Sequence, residues 1–308
     1  MDTNLTLLTE MRNEQSENLH EFSTFEIIQL MNEEDKKVAF VVEKALPQIS
    51  IAVSKMVEVI ENGGKIVYFG AGTSGRLGVL DASECPPTFG VSPELFKGII
   101  AGGDEALRNA IENAEDNVEA GKQDVQLHVT EKDLVVGIAS SGYTPYVLGA
   151  VEFAKERGIP TIGISCNEST KLSSLVDIAI ELPVGPEVVT GSTRLKAGTA
   201  QKMVLNMLST ATMIRTGKVY KNLMINVQAT NQKLKNRSIR IIQEITGTDE
   251  QTAKKTSEHA KGDTRVAILM LLFQVDYITA KQTIDKHNDN FVKAFNELKE
   301  KTVKINFD

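Results

Sequence analysis

Lys65-Ile66-Val67-Tyr68-Phe69-Gly70-Ala71-Gly72-Thr73-Ser74-Gly75-Arg76 passes from an unbroken apolar run into a glycine-rich loop. The run is short and rich in β-branched and aromatic residues, and Asn62-Gly63-Gly64 before it supplies a helix stop and a turn, so it reads as a buried strand. In the loop, glycine lets the backbone approach a ligand, and the start of the following helix offers unpaired amides to an anion. Phosphate binding is the chemistry this arrangement suits. The loop also matches Gly-x-Gly-x-x-Gly, which keeps a dinucleotide site in view. Such a site wants an acid at the end of the second strand, about 20 residues on. Here that strand ends in Ala101-Gly102-Gly103-Asp104, so Asp104 arrives late. The hydroxyls of Thr73 and Ser74 favour a compact phosphate, and a turn that only packs helix on strand is the bland alternative.

Outward from this stretch, further strand candidates are Gly98 to Ala101, Leu134 to Ala139, Pro160 to Ser165 and Asp177 to Leu182. Asp104 to Leu127 and Pro145 to Arg157 between them carry helical patterning. This alternation predicts an α/β fold whose parallel sheet is covered on both faces. Upstream, the apolar spacing from Thr24 to Asn62 predicts two helices, and Thr193 to Thr216 reads as one long helix. Asp249 to Leu298 divides into short helical segments broken near Gly262-Asp263 and His287-Asn288-Asp289, a small appendage without metal-ligand spacing. At 308 residues, a main domain plus an appendage is the natural organisation. The expected divisions are a helical arm over 1–55, the α/β domain over 56–220, and a helical linker and small helical domain over 221–308.

Two more loops carry chemistry. Ala139-Ser140-Ser141-Gly142-Tyr143-Thr144-Pro145 leaves a strand and enters a helix, with Pro145 suited to the first helical position. Loops at the carboxyl ends of neighbouring strands of an open parallel sheet converge on one crevice. Ser74, Ser140, Ser141 and Thr144, with Gly72 and Thr73, are therefore candidates to surround one phosphate; helix capping alone is the competing explanation. The third region, Gly185 to Thr199, crowds hydroxyls, glycines, Arg194, Lys196 and Glu187 at a helix start. Ser192, Arg194 and Lys196 there are candidates to contact phosphate or carboxylate and Glu187 to accept sugar hydroxyls, with ion pairing as the alternative.

Composition removes several classes of function. The net charge of −7 is spread along the chain, which lacks the basic stripe that nucleic-acid phosphates require. No apolar run is long enough to cross a bilayer, and Met1-Asp2-Thr3-Asn4 opens neither a basic nor an apolar signal segment, so a cytoplasmic protein without membrane contact is expected. Cys85 and Cys166 are far apart, which fits neither a disulfide framework nor zinc, and they read as buried packing residues. His20, His128, His259 and His287 are scattered and support no hydrolase triad.

Together the three loops resemble the sugar isomerase (SIS) superfamily, and 70–90 and 185–201 are similar to the N-acetylmuramic acid 6-phosphate etherase family. The resemblance runs nearly end to end and includes Asp81-Ala82-Ser83-Glu84-Cys85-Pro86-Pro87-Thr88-Phe89-Gly90. It implies a flavodoxin-like three-layer SIS domain with a five-stranded parallel sheet and a small C-terminal all-α domain. It further implies a homodimer with its site near the subunit interface, a sugar-phosphate substrate, and no metal or other cofactor. The family's two catalytic acids fall on Glu84 and Glu115. One position departs from the superfamily: many sugar isomerase domains carry serine where this chain has Ala139, a contact that Ser140 or backbone amides would replace.

The implied reaction is loss of D-lactate from C3 of the sugar, followed by hydration to N-acetylglucosamine 6-phosphate. In the open chain C3 lies β to the aldehyde, so the C2 proton is acidic; one group removes it and another protonates the departing ether oxygen. Of the two acids we assign Glu84 as the proton donor; by the family's pattern Glu115 is the second acid–base group, for the C2 proton or the attacking water. A sugar-phosphate-sensing regulator would use similar loops, but the single set of loops and both glutamates favour the enzyme; an aldose–ketose isomerase would share the loops and proton transfer at C2, and the long etherase-like segments argue against it. Glu84 lies ten residues beyond Ser74, roughly 15 Å along a continuous helix. Either the chain folds back at Pro86, or Glu84 serves the neighbouring subunit.

Overall fold

A computed structural model describes residues 7–226 and 232–305; Met1-Asp2-Thr3-Asn4, read above for export signals, lies outside them. The chain forms two compact units. The first takes in the residues up to Ser83 together with Pro93–Thr210, and the second Glu84–Ser92 together with the residues from Ala211 on.

In the first unit, α1 (Thr24–Lys44) and α2 (Leu46–Glu61) lead into β1 (Ile66–Gly70). The start of α1 is fixed by a capping box: Ser23 accepts from the Glu26 amide at 3.3 Å while the Glu26 carboxylate accepts from the Ser23 amide at 2.8 Å. Then follow α3 (Gly72–Phe89), β2 (Phe96–Ile100), α4 (Val118–His128), β3 (Leu134–Ile138) and α5 (Pro145–Glu156). β4 (Thr161–Ser165), α6 (Lys171–Leu175), β5 (Ile178–Glu181) and α7 (Lys196–Arg215) complete the alternation. All five strands pair in parallel in the order β2-β1-β3-β4-β5. This is the flavodoxin-like order. β1, β3 and β4 are buried along their whole length, because helices cover both faces and no residue can turn to water. On one face Val67, Phe69 and Val135 pack with Val125, Val147 and Val151 of α4 and α5.

The strand order decides where chemistry sits. The direction of winding reverses between β1 and β3, and their carboxyl ends are in register, with Gly70 opposite Ile138. The loop after each strand therefore opens into the crevice at this switch point. Gly75 lets α3 start this close to the sheet: a Cβ there would lie 2.6 Å from Ile100 Cγ1 and 2.7 Å from the Gly70 carbonyl oxygen.

One expected helix is shorter than its pattern. Of 104–127, only a single 3₁₀ turn (Asp104–Leu107) and α4 are helical. Asn113 stands at φ 59°, in the left-handed region, and Asn117 caps α4 by accepting from the Ala120 amide at 2.9 Å. Asparagine competition for the backbone thus leaves 108–117 as an irregular segment.

The second unit contains the short antiparallel pair β6 (Val219–Tyr220) and β7 (Leu223–Met224) and helices α8 (Gln232–Thr246), α9 (Glu250–His259), α10 (Thr264–Phe273), α11 (Tyr277–Lys286) and α12 (Phe291–Ile305). Its core joins Ile241, Ile242, Val266, Leu269, Ile284 and Phe291, with Tyr220 edge-on to Phe291 at 5.3 Å. On its surface Glu297 is held by Lys286, Lys301 and His287, whose hydrogen bonds pull its carboxyl down to about 2. A depressed carboxyl stabilises the fold above its unfolded value of 4.5, and that contribution disappears as pH falls through about 2. Thermal melts of Glu297→Gln and of the unmodified protein are accordingly expected to differ above pH 4.5 and to converge near pH 2.

Candidate active site

Ser74 in the first turn of α3 and Ser140 just after β3 come together, their hydroxyl oxygens 3.5 Å apart. A third residue, Gln201 of α7, holds both: Ser74 donates to Gln201 Oε1 at 2.9 Å, and Gln201 Nε2 donates to Ser140 Oγ at 3.0 Å. With its oxygen accepting from the amide, the Ser140 hydroxyl can turn its own proton to the Ser74 oxygen, to the Cys166 sulfur or to a ligand. Asn167 steadies the same loop by donating to the carbonyls of Ser140 and Ser141 at 3.1 and 3.3 Å. Ser141 Oγ accepts from the Tyr143 amide at 3.1 Å. Thr144 is the N-cap residue of α5, with Pro145 at the helix start as expected, yet its side chain makes no capping bond. Capping alone therefore does not account for the hydroxyls of this loop.

The two loops wall an open cleft of about 580 Å³. Gly72, Thr73 and Ser74 line it from one loop and Ser140, Ser141 and Thr144 from the other, with Gly191 and Thr193 from the third region. Gly72 has φ 50°, a conformation that favours glycine and turns the chain from β1 into the helix. Leu7 and Glu10 of an N-terminal turn form a further wall, tied down by Asn167 Nδ2 donating to Thr9 Oγ1 at 3.1 Å.

Glu115 and Asp116 also line the cleft, on the irregular segment before α4 rather than on a helix. The Glu115 carbonyl accepts from the Tyr146 amide of α5 at 2.9 Å, which ties this acid to the helix that begins beside Thr144. Glu84 is not among the cleft's walls. It is exposed on α3, which continues without a fold-back through Pro86 and Pro87 to Phe89.

In the third region the polar groups pair with one another and with α1. Glu187 accepts from the amides of Lys196 and Ala197 at 3.2 and 2.9 Å and so closes the N-terminus of α7; burial pushes its carboxyl up while the amides oppose this. The ammonium of Lys196 is paired with Glu34 of α1, and both side chains are buried. Glu187, Lys196, Arg194 and Glu34 line a separate small cavity, and Ser192 lines neither it nor the cleft. Of this loop, only Gly191 and Thr193 reach the cleft. Cys166 is fully buried and burial, with Glu187 adding to it, raises its thiol to about 12, which suits packing and not nucleophilic chemistry. Among the described residues no cluster of His, Cys, Asp and Glu could hold a metal ion, and no helix is long and apolar enough to cross a membrane.

The pattern of the glucokinase regulatory protein N-terminal SIS domain matches residues 48–155, and that of the SIS domain matches 107–211. The chain is 52% identical over 289 residues to an N-acetylmuramic acid 6-phosphate etherase of Actinobacillus pleuropneumoniae, covering 94% of this chain and 95% of that one. It is 53% identical to that of a Geobacillus species (94% and 98% covered) and 55% identical to that of Glaesserella parasuis (91% and 92%). The chain belongs to the N-acetylmuramic acid 6-phosphate etherase family. Its fold is shared with a phosphoheptose isomerase of Francisella tularensis, at 21% identity and a TM-score of 0.50 over 63% of this chain and all of that one.

Within this etherase-family chain, two residues escaped the sequence reading. Gln201 lies within the buried stripe of α7 that runs from Ala197 through Val204, Leu205 and Leu208. Its signal was available: an amide on an apolar helix face must find partners. Asn167 gave no such signal, because its partners are 158 and 27 residues away in sequence. If Gln201 orients the two serines, Gln201→Met raises KM for a sugar phosphate about tenfold while kcat falls less. Steady-state kinetics checks this, and an unchanged KM would count against the role.

Proposed function

We propose that the cleft binds N-acetylmuramic acid 6-phosphate and removes its lactyl group, giving N-acetylglucosamine 6-phosphate and D-lactate. The chain is an enzyme, a carbon–oxygen lyase, as its family membership at about half identity over 94% of its length establishes. What carries the reading within the structure is the meeting of two hydroxyl loops at the switch point with Glu115 on the same wall. The starts of α3 and α5 supply amides and dipoles for the phosphate, and Thr73, Ser74, Ser140, Ser141 and Thr144 supply hydroxyls. Gly72 lets the backbone close on the oxygens. A dianion held by these groups needs no excess of basic residues, which suits the acidic chain.

Glu115, on the cleft wall, is the group we assign to the C2 proton or to the attacking water, and Glu84 the group that protonates the departing ether oxygen. Because α3 runs unbroken past Glu84, we place that acid in the cleft of a second subunit. Exposed Phe25, Ile28 and Phe40 on α1 and Ile51 on α2 give such a homodimer apolar surface to cover. The roles of Glu187, Ser192 and Lys196 in binding are then indirect: they hold the loop that brings Gly191 and Thr193 to the sugar. A phosphorylated amino sugar as substrate suits a cytoplasmic enzyme of cell-wall sugar catabolism and recycling. The test is incubation of the purified protein with N-acetylmuramic acid 6-phosphate and measurement of D-lactate; absence of release defeats the proposal.

A further inference from the structure

Beside the main cleft lies a second cavity of about 250 Å³, and the two share Ala71, Gly72 and Glu115 as walls. The rest of its lining is mostly small and apolar, including Ala101, Ala106, Ala110 and Ile111, with one cation, Arg76. The guanidinium is held in place: Nε donates to the Leu107 carbonyl and Nη2 to the Asn109 carbonyl, each at 3.2 Å. Two backbone clamps fix the plane of the fork and leave its other donors for a ligand.

We infer that this side cavity is the subsite for the lactyl group, and that Arg76 binds its carboxylate. The inference rests on the etherase reading of the main cleft. A lactyl ether carries a methyl group and a carboxylate on one carbon, and the cavity offers alanine walls for the first and a pre-positioned arginine for the second. Glu112 and Glu115 stand on the same lining, so an acid is accepted only against Arg76. The position of Glu115 agrees with the chemistry. Elimination needs an acid–base group between the sugar carbons in one compartment and the departing acid in the other, and Glu115 lies where the two compartments meet.

Two ligands separate this role from a structural one: N-acetylmuramic acid 6-phosphate, read by KM, and N-acetylglucosamine 6-phosphate, which lacks the lactyl ether, read by calorimetric affinity. Arg76→Met is expected to raise KM for the first by about 10- to 100-fold, the loss of a charged bidentate contact, while affinity for the second is unchanged. Because Arg76 also clamps the 107–109 backbone, Ala110→Leu serves as the second variant, filling the cavity while leaving that clamp in place. It too is expected to weaken only the lactyl-bearing ligand. Equal weakening of both ligands by both variants, or of neither, overturns the inference. If the unmodified protein binds neither sugar phosphate, it is the etherase reading that fails.

Discussion

Glu84→Gln and Glu115→Gln proteins are each expected to release D-lactate at 10²- to 10⁴-fold below the unmodified rate, the usual worth of a positioned general acid or base. The two losses have different geometry. Glu115 lines the cleft of its own chain, whereas Glu84 is exposed on α3 and absent from that cleft. If Glu84 works in the partner's site, mixing the two inactive proteins under conditions that allow subunit exchange restores activity. In a mixed dimer one site receives intact Glu115 from one chain and intact Glu84 from the other, and its twin receives neither. Random exchange then recovers roughly a quarter of the unmodified activity, since about half of the dimers are mixed and each has one working site. No recovery, with exchange verified, would show that each chain keeps its own pair.

Lys196→Met is expected to cost about 3 kcal/mol of stability, the low end of the range for removing one partner of a buried ion pair. The pair joins α7 to α1, and the two side chains are 2% and 5% exposed. Lys37, half exposed, remains on the other oxygen of Glu34, which is why the low end applies. Adding Glu34→Gln should recover part of the loss, because no uncompensated charge is then buried. The pH dependence follows from the same pair. Burial pushes the Glu34 carboxyl up, but hydrogen bonds from Lys196 and Lys37 outweigh it and leave it below its usual 4.5. That contribution is present above 4.5 and lost as pH falls through the lowered value, and Lys196→Met should flatten this acid limb. Denaturant midpoints across pH provide the measurement. A raised KM with an unchanged midpoint would instead return Lys196 to direct contact with substrate.

That two loops would line one cleft was legible at Gly70-Ala71-Gly72-Thr73-Ser74 and Ser140-Ser141-Gly142-Tyr143-Thr144, because a strand that ends in glycine and hydroxyls before a helix is a local pattern. The helix expected over 104–127 misread Asn113 and Asn117, residues whose side chains and left-handed tolerance outweigh apolar spacing. The Gly185–Thr199 region was legible as dense in polar groups, but not as to where they point. Glu187 faces the first amides of α7 and Lys196 faces Glu34, a carboxylate 162 residues away.

The alternating elements, the two hydroxyl-bearing glycine loops and the family could all be read from the chain alone, since each is written in short-range pattern or in residue identity. What folding added is the clamp between them: where β1 and β3 pair as expected, one amide, that of Gln201, holds Ser74 and Ser140 together. Folding also moved Glu115 from a helix face to the boundary of two cavities, the second of them lined by Arg76. Such placements depend on which strands pair and which helix N-terminus a carbonyl can reach, contacts set by burial of the whole sheet and invisible to local spacing.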